Sequence, residues 1–382
     1  MRWSLTLSAA ALQGALLINA IPGRKDAHWK ELAPIPLFPR QEHTAVPLNA
    51  THLAILGGII PGSSPSNPFP TTPLIQLYSI STNAWVSLPD LPVPLNHPNA
   101  AAVDGKIYLL GGLSDEVGDG VWRGDGRSFV FDFASFAWSE LPAMDEANGD
   151  VPRGSAAVGV DSDTGIVYLA GGMTKLPLVE GQGHQESVDH VSAFDTRQGR
   201  WVTREQFARG RDEAEVAKIR TMPGKRDHAA AAVVDGVLYV LGGRVDGQEN
   251  VRGEVFALDL KGLLEGTGGK GKGKGKGKDE DVQGWVTKRA RMPTPRGGVC
   301  GAAVGGKVYV FGGEGNAEEG SEGVFDQVEA YDTRRDRWES AGRMRVPRHG
   351  TAAAAVGRGI YIPGGGVKLG GAPVDTFDVF YP

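Results

Sequence analysis

Nine basic side chains recur at comparable places along the chain, each shortly before a segment rich in alanine and valine. They are Arg40, His43, His97, Arg153, Arg226, His228, Arg296, Arg348 and His349. A guanidinium group can hold a carboxylate through two parallel hydrogen bonds. These residues therefore suggest a site for an anionic or polyhydroxylated ligand, or for an acidic peptide. The alternative is that they recur because each unit of the chain hydrogen-bonds its own loop with them.

The elements that would position these side chains are repeats. A short apolar strand that ends in a glycine pair occurs six times, with spacings of 54, 60, 71, 70 and 52 residues. The pairs begin at Gly57, Gly111, Gly171, Gly242, Gly312 and Gly364. In five copies a tyrosine stands three residues before the pair. Such irregular spacing excludes a strict solenoid and suits a repeat with variable loops.

A second feature follows most glycine pairs: an aromatic residue and, seven residues later, a tryptophan. Tyr78 and Trp85 are one example, and Tyr331 and Trp338 are another. Alternating apolar residues and turn dipeptides such as Asp104-Gly105 predict four short antiparallel strands in each unit. In the fourth unit this spacing is lengthened by a glycine- and lysine-rich run at 268–278, which we interpret as a loop insertion.

The glycine-pair, tyrosine and tryptophan signature resembles the kelch repeat family, whose units are blades of a β-propeller. Six copies cover about residues 28–382. The resemblance implies an all-β, six-bladed propeller of four-stranded antiparallel blades. A strand at Trp29 precedes the first glycine pair, whereas the last unit has no tryptophan of its own. We therefore expect the Trp29 strand to complete the sixth blade, so that residues 21–382 form one domain.

In such a propeller the nine basic residues lie at junctions between blades, on the same face as the long loops at 59–74, 113–127, 173–189 and 314–326. These loops carry many acidic residues, including Glu314, and are expected to form a mobile rim. Kelch proteins commonly bind partners on this face. The resemblance thus implies a binding protein for a protein or carbohydrate ligand. On this interpretation, replacing Arg153, Arg226 and Arg296 by alanine abolishes capture and leaves folding intact.

The sequence contains few of the residues that known kelch enzymes use for catalysis. Galactose oxidase, a kelch enzyme, holds copper through tyrosine, histidine and a cross-linked cysteine, but the single cysteine, Cys300, lies in an inner-strand run. The iron motif of the plant nitrile-specifier proteins is incomplete, because Glu322 and Asp326 are followed by Ala330. The junction histidines are expected to lie too far apart to share a metal. We therefore predict no metal and no cofactor, and keep a metal-free sugar mutarotase as the enzymatic alternative.

Composition and the first residues indicate the cellular setting. The formal net charge of −5 argues against a dedicated nucleic-acid binder, and one cysteine permits no intrachain disulfide. Residues 1–20 have the layout of a secretory signal peptide, and Asn49-Ala50-Thr51 is a glycosylation sequon. No later segment is apolar enough to anchor in a membrane. We expect a secreted monomer, glycosylated at Asn49. A cytosolic adaptor, as many kelch proteins are, is the alternative if the leader does not function.

Overall fold

A computed structural model of the chain describes residues 28–63, 69–178, 184–264 and 284–382. The predicted signal peptide and the glycine- and lysine-rich run lie outside these residues. Six antiparallel sheets have their innermost strands in contact in a closed circle. The six-bladed, all-β propeller predicted from the repeats is confirmed.

The described strands are numbered β1 to β28 in chain order, and each blade is given from its inner to its outer strand. Blade 1 contains β2 (Thr44–Pro47), β3 (His52–Leu56), β4 (Ile75–Ser79) and β5 (Ala84–Leu88). Blade 2 contains β6 (Ala100–Val103), β7 (Lys106–Ser114), β8 (Val121–Asp132) and β9 (Ala137–Leu141). Blade 3 contains β10 (Ala157–Asp161), β11 (Ile166–Ala170), β14 (Val191–Asp195) and β15 (Arg200–Trp201).

The other three blades follow the same plan. Blade 4 contains β16 (Ala230–Val234), β17 (Val237–Leu241), β18 (Val255–Asp259) and β19 (Val286–Thr287). Blade 5 contains β20 (Cys300–Val304), β21 (Lys307–Phe311), β22 (Gln327–Asp332) and β23 (Arg337–Arg343). Blade 6 contains β24 (Ala354–Val356), β25 (Gly359–Pro363), β28 (Phe377–Tyr381) and β1 (His28–Glu31).

The ring closes through β1, which pairs antiparallel with β28. His28 lies opposite Tyr381 and Trp29 opposite Phe380. The Trp29 ring also packs on Phe380, with ring centroids 5.0 Å apart, and its indole N–H donates to the Arg343 carbonyl of blade 5 at 2.8 Å. The segment expected to complete the sixth blade therefore does so, and it also bonds to the preceding blade.

The repeated tryptophans join neighbouring blades. Each outer-strand indole N–H donates to a backbone carbonyl in a preceding part of the ring, as Trp85 does to Ala33 at 2.9 Å and Trp201 to Pro142 at 3.0 Å. The glycine pairs also lie where neighbouring blades contact each other. Gly364 has a φ of 60°, and a Cβ on it would lie 2.5 Å from the Arg40 carbonyl oxygen. A side chain there would force blades 6 and 1 apart.

Some strands and helices are additional to the six four-stranded blades. The strands β12 (Met173–Pro177) and β13 (Glu186–Ser187) extend the sheet of blade 2, because β12 pairs with β8. A hairpin of β26 (Gly366–Lys368) and β27 (Gly371–Pro373) stands in the long loop of blade 6. Between β15 and β16 the chain forms the helices α1 (Arg204–Phe207) and α2 (Glu213–Arg220), and Glu146–Asn148 is a 3-10 turn. None of the described helices is long and apolar enough to cross a membrane.

Two faces follow from this topology. The loop face is formed by the connections between blades and by the loops between the second and third strands. The hairpin face is formed by the turns between first and second strands and between third and fourth strands. Turns at Asp104-Gly105 and Asp235-Gly236 lie on the hairpin face, and all four residues have positive φ values of 49° to 79°. Such values are those of a type I′ hairpin, as their sequence predicts.

Candidate functional site

The five junction arginines are buried inside their own blades. Arg40, Arg153, Arg296 and Arg348 are at most 1% exposed and Arg226 is 4% exposed. Arg153 donates to the carbonyls of Gly171 (2.6 Å), Val151 (2.7 Å) and Leu169 (3.0 Å). The guanidinium groups thus bind the backbone that surrounds them. This agrees with the alternative that each unit of the chain hydrogen-bonds its own loop with these residues. Burial lowers the pKa of Arg40, Arg153 and Arg226 to about 10.

Each of these arginines also has a polar side-chain partner on the third strand of its blade or next to it. Arg296 pairs with Glu329 at 2.5 Å, Arg348 with Asp378 at 3.0 Å and Arg226 with Glu254 at 2.6 Å. Arg40 donates to Gln76, and Arg153 to Ser192 at 3.2 Å. Because every guanidinium binds inside the protein, its fork is not presented to a ligand at the loop face. His43 is buried too, and burial followed by the charge of Arg40 lowers its pKa to about 3.

One residue from each blade forms a ring around the propeller axis, where the blade junctions meet. The six members all have positive φ, between 50° and 63°. They are Glu42, His97, Ser155, His228, Gly298 and Gly350. Backbone hydrogen bonds link neighbours in this ring: Glu42 N–H donates to the Gly350 carbonyl at 2.6 Å, and His97 N–H donates to the Glu42 carbonyl at 2.8 Å. The left-handed backbone therefore turns these residues inward at every junction.

Three side chains of this axial ring meet, although they come from blades 1, 2 and 4. His97 Nε2 lies 3.1 Å from Glu42 Oε2 and 3.1 Å from His228 Nε2. His228 Nε2 lies 3.6 Å from Glu42 Oε2. The expectation that junction histidines are too far apart to share a ligand is wrong for His97 and His228. It took the ring radius as the distance between residues of different blades, whereas the left-handed junctions bring these two side chains together at the axis.

A second layer of charged residues surrounds these three. His228 Nδ1 lies 2.6 Å from Asp227 Oδ1, and Arg244 Nε lies 3.2 Å from the same oxygen. Arg244 pairs on its other side with Glu314, and Glu314 Oε2 lies 3.4 Å from His349 Nδ1. We call these seven residues the axial cluster: Glu42, His97, Asp227, His228, Arg244, Glu314 and His349.

Charges inside the axial cluster shift its pKa values in opposite directions. Burial alone would raise the pKa of Glu42, but its charge and hydrogen-bond interactions with His97 and His228 hold it well below the usual value. Burial lowers the pKa of His97. Burial and the charge of Arg244 also act to lower the pKa of His228, but its hydrogen bonds to Asp227 and Glu42 outweigh them and raise it. The cluster thus favours a Glu42 carboxylate.

Only three members of the axial cluster are among the site residues predicted from the sequence: His97, His228 and His349. Glu314 was assigned to a mobile acidic rim, and this assignment is wrong because its side chain is 1% exposed and bonded to Arg244. A positional signal did exist. Glu42 and His228 both stand two residues after a junction arginine, and Arg244 and Glu314 both directly follow a glycine pair.

Beneath the axial ring a cavity of about 450 Å³ follows the inner strands. Its walls are mainly small apolar side chains, and Glu42, His97 and His228 border one end. Pro47 and Ser162, at the opposite ends of their strands, border the other. Cys300 lies in the wall, and burial raises the pKa of its thiol to about 12, as expected of an inert buried cysteine.

The loop face also carries exposed apolar side chains. Leu37 is 60% exposed, Phe38 45%, Val117 69%, Leu178 41% and Leu369 45%. They come from the junction into blade 1 and from the long loops of blades 2, 3 and 6. Leu37 has a φ of 76°, which is unusual for a bulky side chain. Exposed ion pairs stand among these residues, for example Arg123 with Asp119 and Lys368 with Glu322.

Comparison with known proteins agrees with this architecture. Residues 295–345 match the Kelch motif family. The chain is 33% identical over 366 residues to the Kelch-like protein terF of Aspergillus terreus, covering 95% of this chain and 69% of that protein. Human Kelch-like protein 34 is 27% identical over 69% of this chain and 34% of its own length. Beta-scruin of Limulus polyphemus is 22% identical over 84% of this chain and 30% of its own length. The chain belongs to the kelch-repeat family.

Proposed function

We propose that this kelch propeller is a secreted binding protein that recognises a protein partner with its loop face. The observation that carries the proposal is the group of five exposed apolar side chains on the loops of that face. In a protein interface such apolar side chains become buried, and the charged residues around them form the rim. Kelch propellers typically bind proteins, which supports the same conclusion.

A protein partner fits these residues better than a small anionic or carbohydrate ligand. The interpretation in favour of a small anion depended on free arginine forks, and the five junction arginines donate to their own blades instead. Leu37 and Phe38 are adjacent, exposed and held between Pro36 and Pro39, which restricts the backbone on both sides. A loop that is rigid before binding loses little conformational entropy when it binds.

The test compares a loop-face variant with a hairpin-face variant. Leu37→Asp combined with Phe38→Asp changes the loop face, and Phe136→Asp changes the hairpin face at a side chain that is 55% exposed. Tagged wild type and both variants are used to capture proteins quantitatively from the source culture. We expect a partner that is retained by wild type and Phe136→Asp, and reduced at least tenfold by the loop-face variant. A partner set that all three proteins capture equally contradicts the proposal.

A further inference from the structure

Three ligand atoms in the axial ring have the mutual spacing of a metal site. Glu42 Oε2, His97 Nε2 and His228 Nε2 lie 3.1, 3.1 and 3.6 Å apart. An ion bound by imidazole nitrogen and carboxylate oxygen at roughly 2.0–2.2 Å holds neighbouring ligand atoms of a tetrahedron roughly 3.3–3.6 Å apart. Small movements of these side chains are therefore enough for all three atoms to contact one ion.

Both histidines are oriented as metal ligands usually are. The other ring nitrogen of His228 lies 2.6 Å from Asp227 Oδ1, and that of His97 lies 2.6 Å from Asn96 Oδ1. An acceptor at Nδ1 places the proton there and directs the Nε2 lone pair towards the axis, where it can bind a metal. Asp227 is itself held by Ser187 and by Gln185 at 2.6 Å. The outer contacts thus fix both the tautomer and the direction of each ring.

The formal charges around the three atoms favour a cation. Three buried or nearly buried carboxylates belong to the axial cluster, at Glu42, Asp227 and Glu314, and one guanidinium, at Arg244. When a metal displaces the protons from the Nε2 atoms, the histidines are neutral and these four groups sum to a charge of −2. Burying such a charge without compensation is costly. A divalent cation between Glu42, His97 and His228 neutralises it.

We propose that Glu42, His97 and His228 bind a single divalent first-row transition-metal ion. Two imidazoles and one carboxylate suit zinc or ferrous iron, whereas calcium and magnesium prefer a set made only of oxygen ligands. Arg244 Nη2 lies 3.2 Å from His228 Nε2, so it is placed to donate to an anionic fourth ligand such as hydroxide. This inference is independent of partner binding on the exposed loops, because the three ligands lie at the axis.

The experiment uses purified protein that has been stripped with a chelator and then titrated separately with Zn²⁺, Co²⁺ and Mg²⁺. We expect calorimetry to give one Zn²⁺ or Co²⁺ per chain with micromolar or tighter affinity, and far weaker binding of Mg²⁺. His97→Ala and His228→Ala should each weaken Zn²⁺ binding at least 100-fold. Asp227→Asn, which changes a residue that orients His228 without being a ligand itself, should weaken it about 10- to 100-fold. His52→Ala, a histidine on the blade 1 hairpin, is the matched control and should bind like wild type.

X-ray absorption of the Zn²⁺-loaded wild type keeps the test decisive if the histidine variants do not fold. It should show two imidazole nitrogens and at least one carboxylate oxygen in the coordination shell. A shell without imidazole contradicts the proposal. So does the absence of a stoichiometric Zn²⁺ or Co²⁺ site, or equal affinity in wild type, His97→Ala and His228→Ala.

Discussion

At the scale of single residues, the junction positions divide into two groups with different roles. The arginine position is structural in every blade that has it, because the guanidinium bonds to carbonyls of its own blade. At the position two residues later only the backbone conformation is shared between blades. It is left-handed at Glu42, Ser155 and Gly298, although their side chains differ. This second position therefore tolerates side chains that carry chemistry, and the axial cluster uses it.

Replacing Arg153 by alanine should lower the free energy of unfolding by at least about 3 kcal/mol. The change leaves the carbonyls of Gly171, Val151 and Leu169 buried without their donor, and each such group costs about 1–3 kcal/mol. Urea unfolding measures the effect. Arg123→Ala is the matched control, because its side chain is 44% exposed and its ion pair with Asp119 is screened by solvent and contributes little to stability. Equal stability of the two variants would show that Arg153 is free for another role.

His190 should make the protein less stable in mild acid. Burial, followed by the charges of Arg153 and Arg220, lowers its pKa from 6.5 to about 4. Between these two pKa values the unfolded chain binds a proton that the folded chain does not. Stability from this group is therefore complete above pH 6.5 and declines as the pH falls towards 4.

The variant His190→Gln tests this dependence, because it removes the titrating group and keeps a polar side chain. The loss of unfolding free energy between pH 7 and pH 5 should be smaller in the variant than in wild type by about 1–2 kcal/mol. Urea unfolding at both pH values measures it. An identical pH dependence in the two proteins would mean that other groups cause the acid sensitivity.

At the scale of strands and loops, the repeats predicted what local contacts determine. The tryptophan and glycine-pair positions were readable because each makes the same contact between blades. The extension of blade 2 by β12 and β13 was not readable, because β12 pairs with a strand about 50 residues earlier, where Lys175 lies opposite Arg123. No local pattern specifies such a pairing.

The closing strand β1 gives the prediction that belongs to this scale. Trp29→Ala removes the indole bond to Arg343 and the packing on Phe380, and it should lower the free energy of unfolding by about 2–4 kcal/mol. Deleting residues 21–35 should lower the melting temperature still more, because β28 then loses its partner. Trp29→Phe, which keeps an aromatic ring, should recover part of the loss. An unchanged melting temperature in Trp29→Ala and in the deletion would contradict a stabilising role for the closing strand.

At the scale of the whole molecule, the sequence predicted on which face the site residues lie, but not the direction of their side chains. The topology put the nine basic residues on the loop face, but only side-chain packing decided that the arginines turn into the blades and that His97 and His228 turn to the axis. Distances across the axis depend on the ring of left-handed residues, and only one or two residues per blade contribute to it. A repeat pattern does not contain that information, because the side chains at these positions differ from blade to blade.

The hairpin face gives the last prediction, which concerns secretion. Asn49 is exposed in the turn between β2 and β3, and its Oδ1 accepts hydrogen bonds at 2.9 Å from both the backbone N–H and the hydroxyl of Thr51. A glycan there projects away from the loop face, so partner binding and glycosylation are compatible. In a secreting fungal host we expect the medium to contain a chain that begins near Ile21 and carries one glycan. Mass spectrometry should show that Asn49→Gln removes the glycan and leaves the partner captured. An unmodified chain that stays in the cells with residues 1–20 attached would contradict the secretion proposal, and the loop-face proposal would then have to be tested with intracellular partners.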